Sequence, residues 1–347
     1  MPATMHKKFF TYLSIIFFTA ILFIYTGCAD RAAYSRITGF AQGGEYHITY
    51  SDRDCSGKRV KISTAKMTAL IDKALLEIDN SLSGYNKGSI LTTVNSNKEV
   101  ELDSLFVELF NRSLEIYDES DGIFDISSAP LFDIWGFGFS DKEAVTPEKI
   151  DSILAFTGMD KVELSGLRLI KSDPRVRLNF NAIAQGYSCD YVARIFDSLN
   201  ICDYLIEIGG EILCKGKNPK GKKWSIAVDT PIDGNMEMGE SVQDIIEITD
   251  AGVVTSGNYR KYYIENGEKF SHTIDPRTGY PTKHNLLSAT IITSDATTAD
   301  AYATWCMVIG LDESIKFLES RGDLEGYLIY DDDGIMKTHY TKGITLK

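Results

Sequence analysis

Basic residues are in short supply: 36 Lys and Arg stand against 49 Asp and Glu in 347 residues, for a net charge of -13. That balance argues against a protein that holds phosphate backbones through a basic stripe, so nucleic acid is not an expected partner. Histidine is scarcer still, with five in all. The six cysteines include no CxxC pair, which disfavours a zinc knuckle or a thioredoxin-type site. There is no Walker loop, no GxSxG elbow and no GxGxxG after a strand, so the common nucleotide-loop and serine-hydrolase readings lack support. Internal repeats and Pro- or Ser-rich linkers are also missing. What is there is ordinary globular composition, 44% hydrophobic and 11% aromatic, long enough for a sizeable core and a cleft.

The one long uncharged run lies at the start. His6, Lys7 and Lys8 precede Phe9 to Thr26, and Gly27-Cys28 closes the run before polar sequence begins. This is the shape of a secretory signal; at 18 residues it is also borderline for an uncleaved membrane anchor. The stretch YTGC resembles the bacterial lipobox, with Tyr25 in place of the usual leucine-like residue. The expected organisation is a signal peptide over 1–27, a lipid anchor on Cys28, a tether over 28–38 and one domain over 39–347, outside the cytoplasm. Of the other cysteines, Cys189 and Cys306 fall among apolar neighbours on predicted helices, so buried free thiols are expected, with at most two disulfides in the chain.

Apolar spacing predicts a helix from Ser63 to Ser83, and a second through Leu102 to Tyr117 with Asp103 or Ser104 as cap. A third is capped by Thr146, starts on Pro147 and is terminated by Gly158. The period then changes to two over 161–180, which predicts a short meander, and a helix follows over Ala182 to Leu199. Strands dominate 203–254, with a surface loop over 232–244. Strands at 259–264 and 286–293, helices over Asp295 to Ile309 and Asp312 to Glu319, and a closing hairpin through 331–334 complete the chain. Blocks of strands and helices rather than strict alternation favour an α+β fold with mixed or antiparallel sheets.

Several stretches are candidates for chemistry. Asp300 and Thr304 stand four apart on a predicted helix, which puts a carboxylate and a hydroxyl on one face. A hard cation that also takes phosphate oxygens would suit them; alternatively, Asp300 solvates the helix face and Thr304 bonds back to its own helix. Asn179 to Gly186 places a strand end against a helix start, where free N–H groups attract phosphate, or it is an ordinary joint. Gly209-Gly210 permits close approach of a flat ligand, or makes a hairpin turn. Asp275 to Gly279 is a turn by composition, with His272 beside it. The aromatics Phe132, Trp135, Phe137 and Phe139 read as core, and their glycines suggest a loop over a pocket.

Taken together, the strings GIFDISSAPLFDIWGFG, NAIAQGY, IGGE, TSGNYR, SHTIDPRTG and DAYAT resemble the ApbE family of FAD:protein FMN transferases, in family order from about Gly39 to about Gly310. The resemblance implies an α+β protein that binds FAD in a cleft with magnesium at the diphosphate. It would transfer FMN to a Thr or Ser hydroxyl of an acceptor flavoprotein outside the cytoplasm and release AMP. Carried over by position, the metal ligands are the backbone carbonyl of Ala182, the side chains of Asp300 and Thr304, and the backbone at Ala303. Flavin contacts would come from Gln42, Tyr85, Ile123, Phe124, Asp125, Asn179, Gln185 and Ile274. Family members often carry Met near Gln42, Asp at Asn179 and Lys or Glu at Gln185. His272, by intrinsic pKa, is the candidate base, and Asp300 is catalytic through the metal. The alternatives are a magnesium-dependent FAD pyrophosphatase giving FMN and AMP, and a non-catalytic FAD-binding lipoprotein.

Overall fold

The computed structural model describes residues 32–140, 142–232 and 239–347; the signal segment, Cys28 and part of the 232–244 insert lie outside them. Among the described residues no helix is long and apolar enough to cross a membrane. The chain opens with a hairpin, β1 (Tyr34–Ala41) and β2 (Gly44–Ser51), so residues 34–38, expected as tether, are already the edge of a sheet. The helical block follows: α1 (Thr64–Leu82), α2 (Ile90–Asn95), α3 (Ser104–Glu119), α4 (Ala129–Ile134) and α5 (Pro147–Leu154). Local chemistry explains their starts. Ser63, Asp103 and Thr146 each accept an N–H from the first turn of α1, α3 and α5, from Lys66, Phe106 and Lys149 respectively. α5 stops at Leu154, before Gly158, whose φ of 119° instead opens a short 3-10 turn.

After the β3–β4 hairpin (Val162–Ser165 and Arg168–Lys171) the expected meander does not continue. Val176, Leu178 and Phe180 are buried as their alternation predicts, but a side chain takes over the pairing. Asn95 accepts the Leu178 N–H at 2.8 Å and donates to the Leu178 carbonyl at 2.8 Å, while Asn179 N–H donates to the Ile126 carbonyl. With its backbone groups satisfied in this way, the segment runs as extended chain without a partner strand. It leads into α6 (Ala184–Ser198), which starts two residues later than its apolar pattern suggests.

The remaining strands build the platform: β5 (Tyr204–Ile208), β6 (Glu211–Lys215), β9 (Ala251–Gly257), β14 (Leu286–Thr293), β15 (Glu325–Asp332) and β16 (Ile335–Tyr340). With the first hairpin they form an eight-stranded antiparallel sheet in the order β1-β2-β5-β6-β9-β14-β15-β16. Four small hairpins flank it: β3–β4, β7–β8 (Trp224–Asp229, Val242–Ile248), β10–β11 (Tyr262–Glu265, Glu268–Ser271) and β12–β13 (Ile274–Asp275, Tyr280–Pro281). Period-two geometry sends Val254, Ile291 and Leu328 toward the helices, and Val253, Ile292, Tyr327 and Ile329 toward a second core under β7–β8. Both sheet faces are thus covered at the centre. The strand β8 takes residues 242–244 from the expected surface loop. Between sheet and helices runs α7 (Ala296–Ile309), buried almost all round, followed by α8 (Leu311–Ser320). Asp295 caps α7 through the Thr298 N–H, and Asp190 of α6 accepts the N–H groups of Ala296 and Thr297, so the two helices are joined end to flank.

Cys55 and Cys202, 147 residues apart, are joined by a disulfide that ties the first hairpin to the α6–β5 connection. Cys189, Cys214 and Cys306 are buried free thiols.

Candidate active site

A cleft of about 250 Å³ opens where the loops after α1 and α3, the start of α6, the β5–β6 turn, the end of β9 and one stripe of α7 converge. It gathers residues from seven separated stretches of sequence, and its floor is acidic. Asp300, Thr304, Met307 and Val308 lie on one face of α7, the spacing of a helical stripe. Asp300 is only 4% exposed, so it does not solvate a helix face. Its Oδ2 accepts the Gly186 N–H at 3.0 Å. Gly186 allows that contact: a Cβ there would stand 2.2 Å from the Ala296 carbonyl oxygen and 2.8 Å from the Asp300 Cβ. Thr304 Oγ1 lies 3.5 Å from Ser256 Oγ on β9.

Beside them is Glu211, the first residue of β6, whose Oε2 is sealed from solvent and has no hydrogen-bond partner. Burial, then the Asp300 charge, pushes the Glu211 carboxyl well above the usual carboxylate range. Burial raises Asp300 as well, against the lowering effect of the Gly186 N–H. The Gly209-Gly210 pair is the β5–β6 turn, with φ of 66° and 112°. The body that approaches it closely is the Gln185 amide, whose Nε2 would stand 2.1 Å from a Cβ on Gly209.

Of the residues expected from the sequence, Tyr85, Ile123, Phe124, Asp125, Asn179, Ala182, Gln185, His272, Ile274, Asp300 and Thr304 all line this cleft. Two do not. Gln42 occupies the β1–β2 turn, with φ of 53°, and donates to Ser188 Oγ on the flank of α6 at 2.6 Å. Ala303 is fully buried in the core on another face of α7. Tyr85 is 66% exposed at the mouth, its ring edge-on to Phe139 and its hydroxyl accepting from Asn181 Nδ2. Phe124, at 2% exposure, is a core ring that closes the inner wall. Asp125 accepts the Ser127 N–H, and burial lifts its carboxyl to about 6. The α6 start offers less to phosphate than its pattern suggests, since the Gly186 N–H is held by Asp300 and the Ala184 N–H by the Phe180 carbonyl.

His272 Nδ1 lies 3.1 Å from the Lys261 carbonyl. A carbonyl only accepts, so Nδ1 carries the proton and Nε2 keeps a lone pair. Burial and the nearby Lys261 charge push this imidazole down to about 4, so it is neutral at physiological pH. Phe137 lies edge-on to it at 6.4 Å between ring centroids, and Phe137 in turn stacks on Tyr263 at 5.3 Å. Phe132 sits on the short helix α4 rather than in a loop.

Sequence reasoning missed Glu211, Arg260 and Lys261. Arg260 pairs with the half-buried Asp229 at 2.7 Å, and Arg260 and Lys261 both line the cleft. The signal was present: two adjacent basic residues inside TSGNYRKYY in an otherwise acidic chain.

The donor set fits a hard divalent cation. Among the described residues no three His, Cys, Asp or Glu side chains cluster as a metal site. The available set is therefore carboxylate oxygen with neutral hydroxyl and carbonyl oxygens: Asp300, Thr304 and the Ala182 carbonyl, with an orphaned carboxylate oxygen beside them. Such a set suits magnesium, which takes few protein ligands and keeps positions for phosphate and water.

A sheet platform with an acidic, oxygen-lined cleft at the α6–α7 junction defines a ligand-binding α+β enzyme. The family comparison is specific: the ApbE family pattern matches residues 43–328, and the chain belongs to that family. Among curated relatives, the FAD:protein FMN transferase of Haemophilus influenzae is 32% identical over 92% of this chain and 93% of its own. The enzyme of the same name from Escherichia coli K12 is 33% identical over 79% and 80%. The flavin transferase ApbE of Vibrio cholerae superposes with a TM-score of 0.77 at 29% identity, covering 90% of this chain and 98% of that one. The apo flavinyl transferase ApbE of Pseudomonas stutzeri gives 0.79 at 29%, covering 90% and 96%. The chain is, with its family, a transferase.

Proposed function

We propose that this protein transfers the FMN moiety of FAD to a Thr or Ser hydroxyl of an acceptor flavoprotein and releases AMP. The observation that carries the reading is the convergence, in one cleft, of an acidic oxygen-donor floor, two cations and a neutral histidine beneath an exposed aromatic mouth. Magnesium, when held by Asp300, Thr304 and the Ala182 carbonyl, would neutralise the diphosphate and template the attack. The chain's own groups do the rest. Tyr85 offers a free ring face for a flat isoalloxazine, while Arg260 and Lys261 place positive charge beside the phosphates. The acceptor oxygen forms a bond to the FMN phosphorus as the bond to the AMP phosphate breaks, and AMP takes the electron pair. The hydroxyl proton passes to His272 Nε2, whose tautomer is set by the Lys261 carbonyl. Incubation with FAD, magnesium and a candidate acceptor is expected to give a fluorescent acceptor band with equimolar AMP; FMN and AMP released without acceptor labelling would make the protein a pyrophosphatase.

Because burial holds His272 at about 4, the base stays available down to mildly acidic pH. The acid limb of the transfer rate is therefore expected near pH 4 rather than near 6.5, the ordinary imidazole value. His272→Asn should cost about 10²–10⁴ in rate, the usual worth of a positioned base, with FAD affinity retained. An unchanged rate would assign proton removal elsewhere.

We propose further that the protein works outside the cytoplasm, held by a lipid on Cys28. Support comes from the basic start, the Phe9 to Thr26 run and the Gly27-Cys28 junction, and from a disulfide, which persists in oxidising compartments. Cys28→Ser is expected to block lipid attachment and signal cleavage, so that the precursor accumulates at full length; unchanged processing and attachment in a native host would point to an uncleaved helix.

A further inference from the structure

We infer that Glu211 is a second anionic member of the cation cradle built around Asp300, and that the cradle therefore takes a divalent cation before the dinucleotide arrives. The inference rests on the metal-dependent reading above and deepens it.

Burying a carboxylate without a partner is costly, and folds normally supply one. Elsewhere in this protein they do. Asp133 pairs with Arg177 at 2.7 Å, Asp229 with Arg260 at 2.7 Å, and Asp190 takes two N–H groups from the start of α7. Glu211 Oε2 receives nothing, although it lines the cleft. The charges of Arg260 and Lys261 reach it without a hydrogen bond to Oε2, Arg260 pairing with Asp229 through Nη2.

The connection to Asp300 runs through two consecutive residues of α6. Gln185 packs over Gly209, whose substituent would also stand 3.3 Å from Glu211 Oε2, and Gly186 packs against Asp300. The left-handed turn at Gly209-Gly210 is what returns β6 so that its first side chain faces the same floor as α7. A cradle with one carboxylate leaves a divalent cation with excess charge until a diphosphate binds. A second carboxylate supplies from the protein an anionic ligand that offsets the Arg260 and Lys261 charges in the same cleft, which favours cation binding in the absence of phosphate.

The test uses Mn²⁺ as the probe, followed by the loss of its free-ion electron paramagnetic resonance signal, with no FAD present. The unliganded protein is expected to bind Mn²⁺, and Glu211→Gln to bind it at least tenfold more weakly. Glutamine keeps the shape of the side chain, so the metal-free melting temperature of Glu211→Gln should change little while the Mn²⁺-induced rise shrinks. Adding FAD should recover part of the lost affinity through its phosphates. Wild-type Mn²⁺ affinity in Glu211→Gln would overturn the inference, as would a metal-free melting temperature lowered along with unchanged metal binding, the mark of a purely structural side chain. Asp300→Asn separates the two levels. If it alone loses Mn²⁺, the metal reading stands and the role of Glu211 falls; if neither variant loses Mn²⁺, both fall. Should Glu211→Gln fail to fold, Glu211→Asp keeps the charge and is expected to bind Mn²⁺ measurably more weakly, with unchanged affinity again overturning the inference.

Discussion

Asp300→Asn is expected to lower FMN transfer by about 10²–10³-fold, the typical loss when one electrostatic stabiliser of a transition state is removed. The structure recommends asparagine over alanine. An amide oxygen still accepts the Gly186 N–H that Asp300 Oδ2 takes at 3.0 Å, so the α6–α7 contact survives while the charge does not. The melting temperature should hold or rise, because a desolvated carboxylate is lost. Single-turnover AMP release across a magnesium titration checks this. Thr304→Ala removes a neutral donor, so excess magnesium should largely restore that variant and barely help Asp300→Asn. Near-native turnover by Asp300→Asn at low magnesium, with an intact melt, would move the catalytic cation away from α7.

Breaking the Cys55–Cys202 link should cost about 3–5 kcal/mol of stability. The bond closes a loop with a sequence separation of 147 residues, and in the chain-entropy account a loop of that size restricts the unfolded ensemble by roughly 4–5 kcal/mol. Cys202→Ser and reduction of the native protein should shift urea unfolding to the same lower midpoint, and reductant should not move Cys202→Ser further. A wild type indifferent to reductant would show that the bond contributes nothing. The cleft draws no residue from either cysteine, so transfer below the unfolding transition should be unaffected.

Much of this protein was legible from its residues because the governing interactions are local. Ser63, Asp103 and Thr146 announce α1, α3 and α5 through side-chain oxygens that reach N–H groups three residues on. The apolar period marks the face each helix buries, and most cleft residues lie in contiguous strings that carry the family likeness. Where a distant group competes, local reading loses. The alternation at Val176 to Phe180 predicts a strand, but Asn95, far back in the chain, claims the backbone groups. Gln42 is expected as a flavin contact by position, yet its left-handed turn points it at Ser188 instead of the cleft. The strand order, the partnering of Cys55 with Cys202, and the gathering of Glu211 and Asp300 into one cleft needed the assembled sheet. Each depends on packing between segments tens to more than a hundred residues apart. Burial, which raises both of those carboxyls and lowers His272, exists only once the core has closed over them.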